Sequence, residues 1–175
     1  DLALTNPIAE ATVRKARQYR LERTRKILKD NDIAAILLYD PCNIRYATDT
    51  SNMQLWTMHN PSRYALIFAD GPALLFDYHN CAHLHDEKRL PNGELTVDEI
   101  RPAIAWAYFA AGERAPEQAI RWGADIASLM KQYGGGNKRL AVDICEQLGM
   151  AQLHKHGIET LYGSQDMKHT RRKKS

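Results

Sequence analysis

A short run of uninterrupted apolar residues constrains the fold more than any other feature of this sequence. Residues 33–39 read IAAILLY, with turn-forming residues before the run at Asn31-Asp32 and after it at Asp40-Pro41. A run of this length without alternation is typical of a strand that is covered on both faces. The strand must end at the proline, which cannot donate to a β-ladder and restricts the residue before it. The chain is therefore expected to place helices on both sides of a sheet.

The rest of the chain alternates between helical and strand patterns. An apolar stripe among Arg and Lys predicts the first helix, and Asp70-Gly71 between two apolar runs predicts a hairpin. The predicted helices cover residues 8–30, 43–48, 115–133 and 145–156, and the predicted strands cover residues 33–39, 63–69, 72–78, 104–109, 140–143 and 158–162. This alternation predicts an α/β fold, a three-layer domain with a central mixed β-sheet flanked by helices. Because no repeat or low-complexity linker interrupts the pattern, residues 1–175 are expected to form a single domain.

Composition and charge narrow the function classes. The 175 residues are 44% apolar and 26% charged, which fits a globular protein and not a disordered one. The net charge of +3 is too small to indicate nucleic-acid binding, so the basic first helix is expected to be solvated. The three cysteines, Cys42, Cys81 and Cys145, are widely spaced, which suggests a reducing compartment. With neither a signal-peptide pattern nor an apolar run near the roughly 20 residues of a membrane span, we expect a cytoplasmic protein.

One segment carries potential metal ligands. Residues 79–85 read HNCAHLH and are followed by Asp86 and Glu87. Its imidazole and thiol ligands recur at every second position, at His79, Cys81, His83 and His85. Zinc sites usually pair ligands from two elements, and the sequence has no second cluster of this kind. A polar loop without metal is therefore the favoured interpretation.

Three carboxylates lie at the ends of predicted strands. Asp40, Asp77 and Asp143 fall where ligand sites gather in open α/β sheets. Together they could bind two divalent ions, as a nuclease of ribonuclease-H-like fold would require. Two of them also have a simpler explanation, because Asp40 precedes a proline and Asp143 can cap the helix that is predicted to begin at Cys145. The local interpretation is favoured.

A glycine-rich turn is a weaker candidate for chemistry. Residues 134–138 read GGGNK and lie between a predicted helix and a predicted strand. A phosphate-binding loop needs the opposite order, in which a strand leads through the glycines into a helix N-terminus. The turn is therefore interpreted as the end of a helix.

The most unusual segment follows the central strand. Residues 40–61 read DPCNIRYATDTSNMQLWTMHNP and combine Trp and Met with turn residues in what is predicted to be an irregular loop after position 49. Aromatic residues and Met are enriched at contact surfaces, which would make this loop a binding edge. Alternatively, Leu55 and Trp56 turn back into the core. Residue types alone leave both interpretations open.

The same segment carries a resemblance to a known family. The basic helix RQYRLERTRKILKDNDI followed by AAILLYDPCNIRYATDT resembles the N-terminal domain of the creatinase and prolidase family of metallohydrolases. NIRYATDTSNMQLWTMHNP, the hairpin and GGGNKRLAVD are similar to one branch, the dimethylsulfoniopropionate lyases built on the creatinase fold. The resemblance extends from about residue 17 to about residue 172.

This resemblance implies that the chemistry lies outside the chain. In this family a separate C-terminal "pita-bread" domain binds two divalent metal ions, or iron, through two Asp, one His and two Glu. That domain would begin after about residue 172. The resemblance therefore implies no catalytic residue, metal ligand or cofactor within residues 1–175, and an enzyme only in the parent protein.

The resemblance also implies a role for the unusual segment. The N-terminal domain of this family supports homodimerisation and partly closes the active site of the partner subunit. On this basis the loop from Thr50 to Pro61 is expected to reach over the partner's pocket. The expected gate is Trp56, surrounded by Asn52, Met53 and His59.

Three further residues are expected to support the base of this loop. They are Arg45, Tyr46 and Asp49, and Arg45 is expected to pair with Asp40 or with Asp49.

Two alternatives to a lyase parent stay open. The chain can be the N-terminal domain of a Xaa-Pro dipeptidase, an aminopeptidase or a creatinase-like hydrolase. In a different class, it can be a stand-alone dimerisation or binding module, which would form dimers without any catalytic domain.

Overall fold

A computed structural model of the protein describes residues 9–81, 96–164 and 167. The helices are α1 (Glu10–Asp30), α2 (Pro41–Thr48), α3 (Gln54–His59), α4 (Tyr108–Ala111), α5 (Ala115–Tyr133) and α6 (Gln147–Lys155). The strands are β1 (Ala35–Leu38), β2 (Tyr64–Phe68), β3 (Ala73–Asp77), β4 (Glu99–Pro102), β5 (Arg139–Val142) and β6 (Glu159–Tyr162). Short 3₁₀ turns cover His79–Cys81 and Gly112–Arg114.

The six strands form one mixed sheet in the order β4-β3-β2-β1-β5-β6. The β1–β2 and β2–β3 pairs are antiparallel, and the β1–β5, β3–β4 and β5–β6 pairs are parallel. In the centre, Ile36 lies opposite Ile67 on β2 and opposite Ala141 on β5. The predicted α/β architecture with a central mixed sheet is therefore confirmed.

The central strand is buried on both faces, as its uninterrupted apolar run predicts. Leu37 belongs to a core cluster that includes Trp122 and Ile126 of α5, on one face of the sheet. Ile36 belongs to a second cluster that includes Leu28 of α1, on the other face. Each fully buried side chain of this size contributes about 1.5–3 kcal/mol. The two clusters give the three layers of helix, sheet and helix.

One predicted strand is wrong. Residues 104–109 contain no strand, and the strand in this region is the earlier and more polar β4. The apolar side chains that suggested a strand serve another purpose, because Trp106 is buried against Trp122, with the ring centroids 5.0 Å apart. The Nε1–H group of Trp106 also donates to the hydroxyl of Tyr39, at 3.1 Å. A short apolar run can cover a sheet as well as join one, and periodicity does not distinguish the two.

The glycine-rich turn after α5 has the predicted role of a helix end. The amide of Gly134 donates to the carbonyl of Met130 at 2.8 Å, and Gly135 and Gly136 have φ values of 61° and 86°. These left-handed conformations favour glycine because it has no Cβ. The chain then enters β5, so the turn opens no helix N-terminus toward an anion.

The basic residues of α1 fasten the helix to the sheet. Arg25 donates from Nε to the carbonyl of Phe68 at 3.2 Å and from Nη2 to the carbonyl of Gly71 at 2.7 Å, so it holds the β2–β3 hairpin. Lys29 forms an ion pair with Asp70 at the tip of that hairpin. Part of the positive charge that the sequence concentrates in this helix is therefore used inside the domain. None of the helices in the described ranges is long and apolar enough to cross a membrane.

Replacing Arg25 with Met is expected to lower the free energy of unfolding by about 1–3 kcal/mol. The change removes a charged donor from two hairpin carbonyls while keeping an apolar stem of similar length. Lys26→Met is the matched control, because Lys26 forms an exposed ion pair with Asp30 on the same helix and its loss should cost less than about 0.5 kcal/mol. Urea denaturation of both variants, followed by circular dichroism, measures the difference. Equal effects of the two changes would contradict the assignment.

Candidate functional site

The candidate site begins at the carboxyl end of β1, where α2 starts. The carboxylate of Asp40 accepts hydrogen bonds from the amides of Cys42 and Asn43, at 2.7 and 3.0 Å. Pro41 occupies the first turn of the helix, where a missing N–H group costs nothing. The helix ends at Thr48, and its C-cap residue, Asp49, has a left-handed φ of 54°. The sequence Asp-Pro therefore ends β1, as predicted, and also begins the next helix.

The segment after α2 is partly helical, not irregular as predicted. Met53 takes a left-handed conformation with φ 40° and ψ 54°, and α3 follows it. Side chains hold this short helix, since Thr57 Oγ1 donates to the Met53 carbonyl at 3.1 Å and Asn60 Nδ2 donates to the Trp56 carbonyl at 3.0 Å. Six residues are too few for a helical period to show in the sequence, which explains the error.

Trp56 is neither fully exposed nor turned into the core. Its side chain is 43% exposed. The ring lies edge-on to Tyr78 and to Phe109, with both centroid distances 5.6 Å. The indole therefore packs against two aromatic rings and still faces solvent, and its role in binding stays a prediction. The side chain of Leu55 lies outside the described part of the structure.

Several apolar side chains on the Trp56 segment and on α4 are exposed. We call this set the exposed apolar surface; its members and their exposed fractions are Met53 (53%), Trp56 (43%), Met58 (60%), Tyr108 (67%) and Phe109 (45%). The contact between Trp56 and Phe109 joins α3 to α4, which is distant in sequence. Aromatic residues and Met are the residue types enriched at protein contacts.

A buried ion pair adjoins the segment that carries Trp56. Arg63 Nε lies 2.9 Å from Asp77 Oδ2, and the two side chains are 1% and 2% exposed. The other carboxylate oxygen of Asp77 accepts from Asn52 Nδ2 at 3.0 Å and from the amide of Tyr78 at 2.8 Å. The Nη2 group of Arg63 donates to Thr50 Oγ1 at 2.7 Å. The pair therefore joins the start of β2, the end of β3 and the segment before α3.

Electrostatics keep this pair ionised. Burial raises the pKa of Asp77, but the Arg63 guanidinium and the hydrogen bonds from Tyr78 and Asn52 outweigh burial, so the pKa lies below its usual value. The hydroxyl of Tyr78 shares a 2.7 Å hydrogen bond with Ser62, and burial nevertheless raises its pKa. At neutral pH the site is a carboxylate–guanidinium pair beside a neutral phenol.

The structure places the predicted gate residues in different environments. Asn52 is buried in the ion-pair network, whereas Met53, Trp56 and His59 are exposed on or beside α3. They share one segment, in which Thr57 Oγ1 contacts the carbonyls of Asn52 and Met53, at 3.5 and 3.1 Å.

The predicted supporting residues are also separated. Asp49 forms its ion pair with Arg17 of α1, so the pairing of Arg45 with Asp49 is wrong, as is that with Asp40, whose carboxylate caps α2. Arg45 is exposed. The ring of Tyr46 lies 5.6 Å from the guanidinium carbon of Arg20, so it packs toward α1.

Sequence reasoning missed the residues that hold the site together: Arg63, Tyr78 and Phe109, and the role of Asp77 as an ion-pair partner. A signal was available for the ion pair. Tyr64 lies opposite Phe76 in the antiparallel hairpin. The same register places Arg63 opposite Asp77, and a pair of opposite charges across two strands is favourable. No comparable signal existed for Phe109, because its segment was predicted to be a strand.

Asp143 does not cap the helix that follows it. Its carboxylate accepts from the amides of Tyr39 at 2.8 Å and Asp40 at 3.0 Å, and from Asn43 Nδ2 at 2.9 Å, while Glu146 is the N-cap of α6. Burial raises the pKa of Asp143, and these hydrogen bonds only partly offset it. The residue joins the carboxyl ends of β5 and β1, because parallel neighbouring strands end at the same edge of the sheet.

Replacing Asp143 with Asn is expected to lower the free energy of unfolding by about 1–3 kcal/mol. An amide offers one acceptor oxygen where the carboxylate offers two, and its NH₂ group would face amide donors. Thermal and urea unfolding of the variant measure the loss. A variant at least as stable as wild type would show that relief of the buried charge outweighs the lost hydrogen bonds.

The described residues do not form a metal centre. No group of three His, Cys, Asp or Glu side chains within ranges 9–81 and 96–164 could hold a metal ion. Asp40, Asp77 and Asp143 each accept hydrogen bonds from protein donors, which removes the support for a nuclease site. Of the alternating histidine segment, His79 and Cys81 are described, whereas His83, His85, Asp86 and Glu87 lie outside the described residues.

Sequence comparison identifies relatives over most of the chain. The model of the Creatinase/Prolidase N-terminal domain family matches residues 20–156. The dimethylsulfoniopropionate lyase DddP of Roseovarius nubinhibens is 35% identical over 167 residues, which are 95% of this chain and 36% of that lyase. The DddP of Roseobacter denitrificans is 34% identical over 149 residues, which are 85% of this chain and 32% of that protein. The chain thus spans about a third of the length of the curated relatives it matches.

Solved structures share the fold. A proline dipeptidase from Streptococcus pneumoniae superposes with a TM-score of 0.59 at 16% identity, covering 89% of this chain and 98% of that one. The N-terminal domain of the peptidase PepQ from Mycobacterium tuberculosis gives a TM-score of 0.56 at 17% identity, covering 87% and 98%. At these identities the likeness concerns the fold alone. Together with the family match over most of the sequence, it follows that the chain belongs to the creatinase/prolidase N-terminal domain family.

Proposed function

We propose that this chain is the non-catalytic N-terminal domain of a dimethylsulfoniopropionate lyase, and that it mediates dimerisation and caps the active site of the partner subunit. The observation that carries the proposal is the similarity to DddP over 95% of the chain, which covers only 36% of that lyase. A relative of that length has room for a catalytic domain outside the matched region. Residues 1–175 are the single N-terminal domain in this account.

The exposed apolar surface supports the capping role. Four of its five members are aromatic or lie on the short helix α3, which is part of the segment that resembles the lyases. Exposed side chains of this type are costly to leave in water and are typical of surfaces that meet a partner. A sulfonium substrate adds a chemical reason, because the negative face of an indole ring attracts a cation.

Metal chemistry is assigned to the rest of the parent protein. The residues described here do not fit a metal ion, because no three ligand side chains come together within those ranges. In this proposal, the two divalent metal ions, or iron, that the family resemblance implies belong to the catalytic domain. The N-terminal domain formed by residues 1–175 covers the active site, excludes water and contacts the substrate, which are the functions of a lid.

The substrate class can be tested on the parent protein and on this chain side by side. The protein that contains the chain should cleave dimethylsulfoniopropionate and leave a Xaa-Pro dipeptide intact. The 175-residue chain alone should bind no stoichiometric metal and turn over neither compound. Metal and turnover in the isolated chain would contradict the proposal, and cleavage of the dipeptide by the parent would replace the lyase with a Xaa-Pro peptidase.

The oligomeric state separates the lid from a stand-alone module. Sedimentation of the parent protein should give a homodimer. The chain alone is expected to dimerise more weakly, because the partner's catalytic domain supplies part of the contact in this account. A dimer of the isolated chain as stable as that of the parent would favour a stand-alone dimerisation module instead.

A further inference from the structure

The carboxylate of Asp77 contacts the segment that carries Trp56. Asp77 Oδ1 accepts from Asn52 Nδ2 at 3.0 Å, and Asn52 directly precedes Met53. Met53 has the left-handed conformation from which α3 starts, so the direction of the helix depends on where this residue is held. Fixing Asn52 therefore fixes the point from which Trp56 projects.

The same carboxylate also fixes the platform under the indole. Asp77 Oδ1 accepts from the amide of Tyr78 at 2.8 Å, and the hydroxyl of Tyr78 is held by Ser62 at 2.7 Å. With its backbone amide and its hydroxyl both hydrogen-bonded, Tyr78 places its ring in edge-on contact with Trp56 at a centroid distance of 5.6 Å. One oxygen atom thus orients the segment that carries Trp56 and the ring on which Trp56 rests.

Arg63 holds that oxygen in place. It binds the second oxygen of Asp77 through Nε at 2.9 Å and reaches Thr50 Oγ1 through Nη2 at 2.7 Å. Thr50 in turn bonds Thr48 Oγ1, which bonds the carbonyl of Ile44 inside α2. The pair is buried at 1–2% exposure, so water offers these groups few alternative partners. Hydrogen bonds therefore connect α2 continuously, through Thr50, Arg63 and Asp77, to the residues that hold Trp56.

From these contacts we infer that Asp77, oriented by Arg63, is the positioning residue for Trp56. The kinetic consequence of this inference rests on the proposed function, in which Trp56 contacts the substrate of the partner subunit. The competing explanation is that the pair only stabilises the sheet edge. The two explanations differ in what changes in a folded variant, because a positioning residue alters Trp56 selectively.

Fluorine NMR can detect a change at Trp56 separately from changes at the other tryptophans. The chain has three tryptophans. Trp106 and Trp122 are buried in the core cluster that also contains Leu37. Labelling with 5-fluorotryptophan therefore gives one signal to test, that of Trp56, and two internal controls. Trp56→Phe assigns the signal. Asp77→Asn removes the charge, and Asn52→Leu removes the tether with little change of shape. Asp30→Asn is the matched control, because Asp30 forms an exposed ion pair with Lys26.

The expected result is a selective change. In Asp77→Asn and Asn52→Leu the Trp56 signal should shift or broaden while the Trp106 and Trp122 signals stay in place, and Asp30→Asn should leave all three unchanged. An unmoved Trp56 signal in these variants would overturn the inference. If Asp77→Asn fails to fold, all three signals collapse together and Asn52→Leu decides.

Kinetics of the parent protein on dimethylsulfoniopropionate complete the test. Asp77→Asn should lower kcat/KM by roughly tenfold or more, since small displacements of a substrate-contacting group cost one to two orders of magnitude. It should cost little further in a Trp56→Ala background, because the two changes then act through one group. Additive losses would overturn the inference. A selective NMR change without any kinetic effect of Trp56→Ala would uphold the positioning role and contradict the proposed function.

Discussion

Replacing Arg63 with Met is expected to lower the free energy of unfolding by about 3–5 kcal/mol, which is the cost of leaving one partner of a buried ion pair alone. The side chain of Asp77 is 2% exposed, so its charge would find little water to replace the guanidinium. Thr50 would lose its donor as well. Urea denaturation followed by circular dichroism measures the change. A loss below about 1 kcal/mol would show that water reaches the carboxylate.

The double variant Arg63→Met with Asp77→Leu is the matched control. It removes both charges and keeps similar volumes, so it should be more stable than Arg63→Met alone, although Asn52 loses a partner. A double variant less stable than the single one would mean that the stranded carboxylate is not the source of the loss.

The pH dependence of the free energy of unfolding should reflect the ionisation of Asp77 in the same ion pair. The folded-state pKa of Asp77 lies below its usual value, so its stabilising effect is fully present above the ordinary Asp pKa of about 4 and is lost as the pH falls through the folded-state pKa. The stability difference between wild type and Asp77→Asn should therefore shrink as the pH drops below about 4. A difference that stays constant from pH 7 to pH 2 would contradict the assignment.

Replacing Trp56 with Ala in the parent protein should lower kcat/KM for dimethylsulfoniopropionate by roughly 30-fold. A desolvated cation–π contact contributes about 2 kcal/mol, which corresponds to that factor. Trp56→Phe, the matched control, retains a ring and should lose less. The side chain is 43% exposed, so unfolding should change by only about 1 kcal/mol and cannot account for the kinetic loss. Unchanged kinetics in Trp56→Ala would contradict the capping role.

The sequence predicts the layers of this fold because a strand that is buried on both faces requires an uninterrupted apolar run. An apolar run at residues 33–39 allows few structures besides a covered central strand, and two similar runs around Asp70-Gly71 give the hairpin. The prediction from apolar runs fails at residues 104–109, where Trp106 packs over the sheet without belonging to a strand. It also misses β4, whose residues EIRP are polar because it lies at the edge.

The site is less predictable because its contacts join residues that are far apart in sequence. The unusual composition of residues 50–61 marks the segment, yet it does not reveal that Phe109 completes the platform under Trp56. Local pairing rules assign Arg45 to Asp49, although tertiary packing brings Arg17 of α1 to that carboxylate. Charge complementarity across the hairpin could have revealed Arg63 and Asp77, since the strand register alone brings them together.

The central claim, that Trp56 reaches the partner's active site, is tested most directly by a photo-crosslinker at position 56 of the parent protein. Dimers reassembled from isotopically light and heavy subunits identify by mass spectrometry whether a cross-link joins two subunits. We predict mixed light–heavy products whose partner peptides contain or adjoin the metal ligands, and no such products from a crosslinker at Gln132, an exposed residue near the end of α5. Cross-links confined to one subunit, or partner peptides remote from the metal ligands, would contradict the claim.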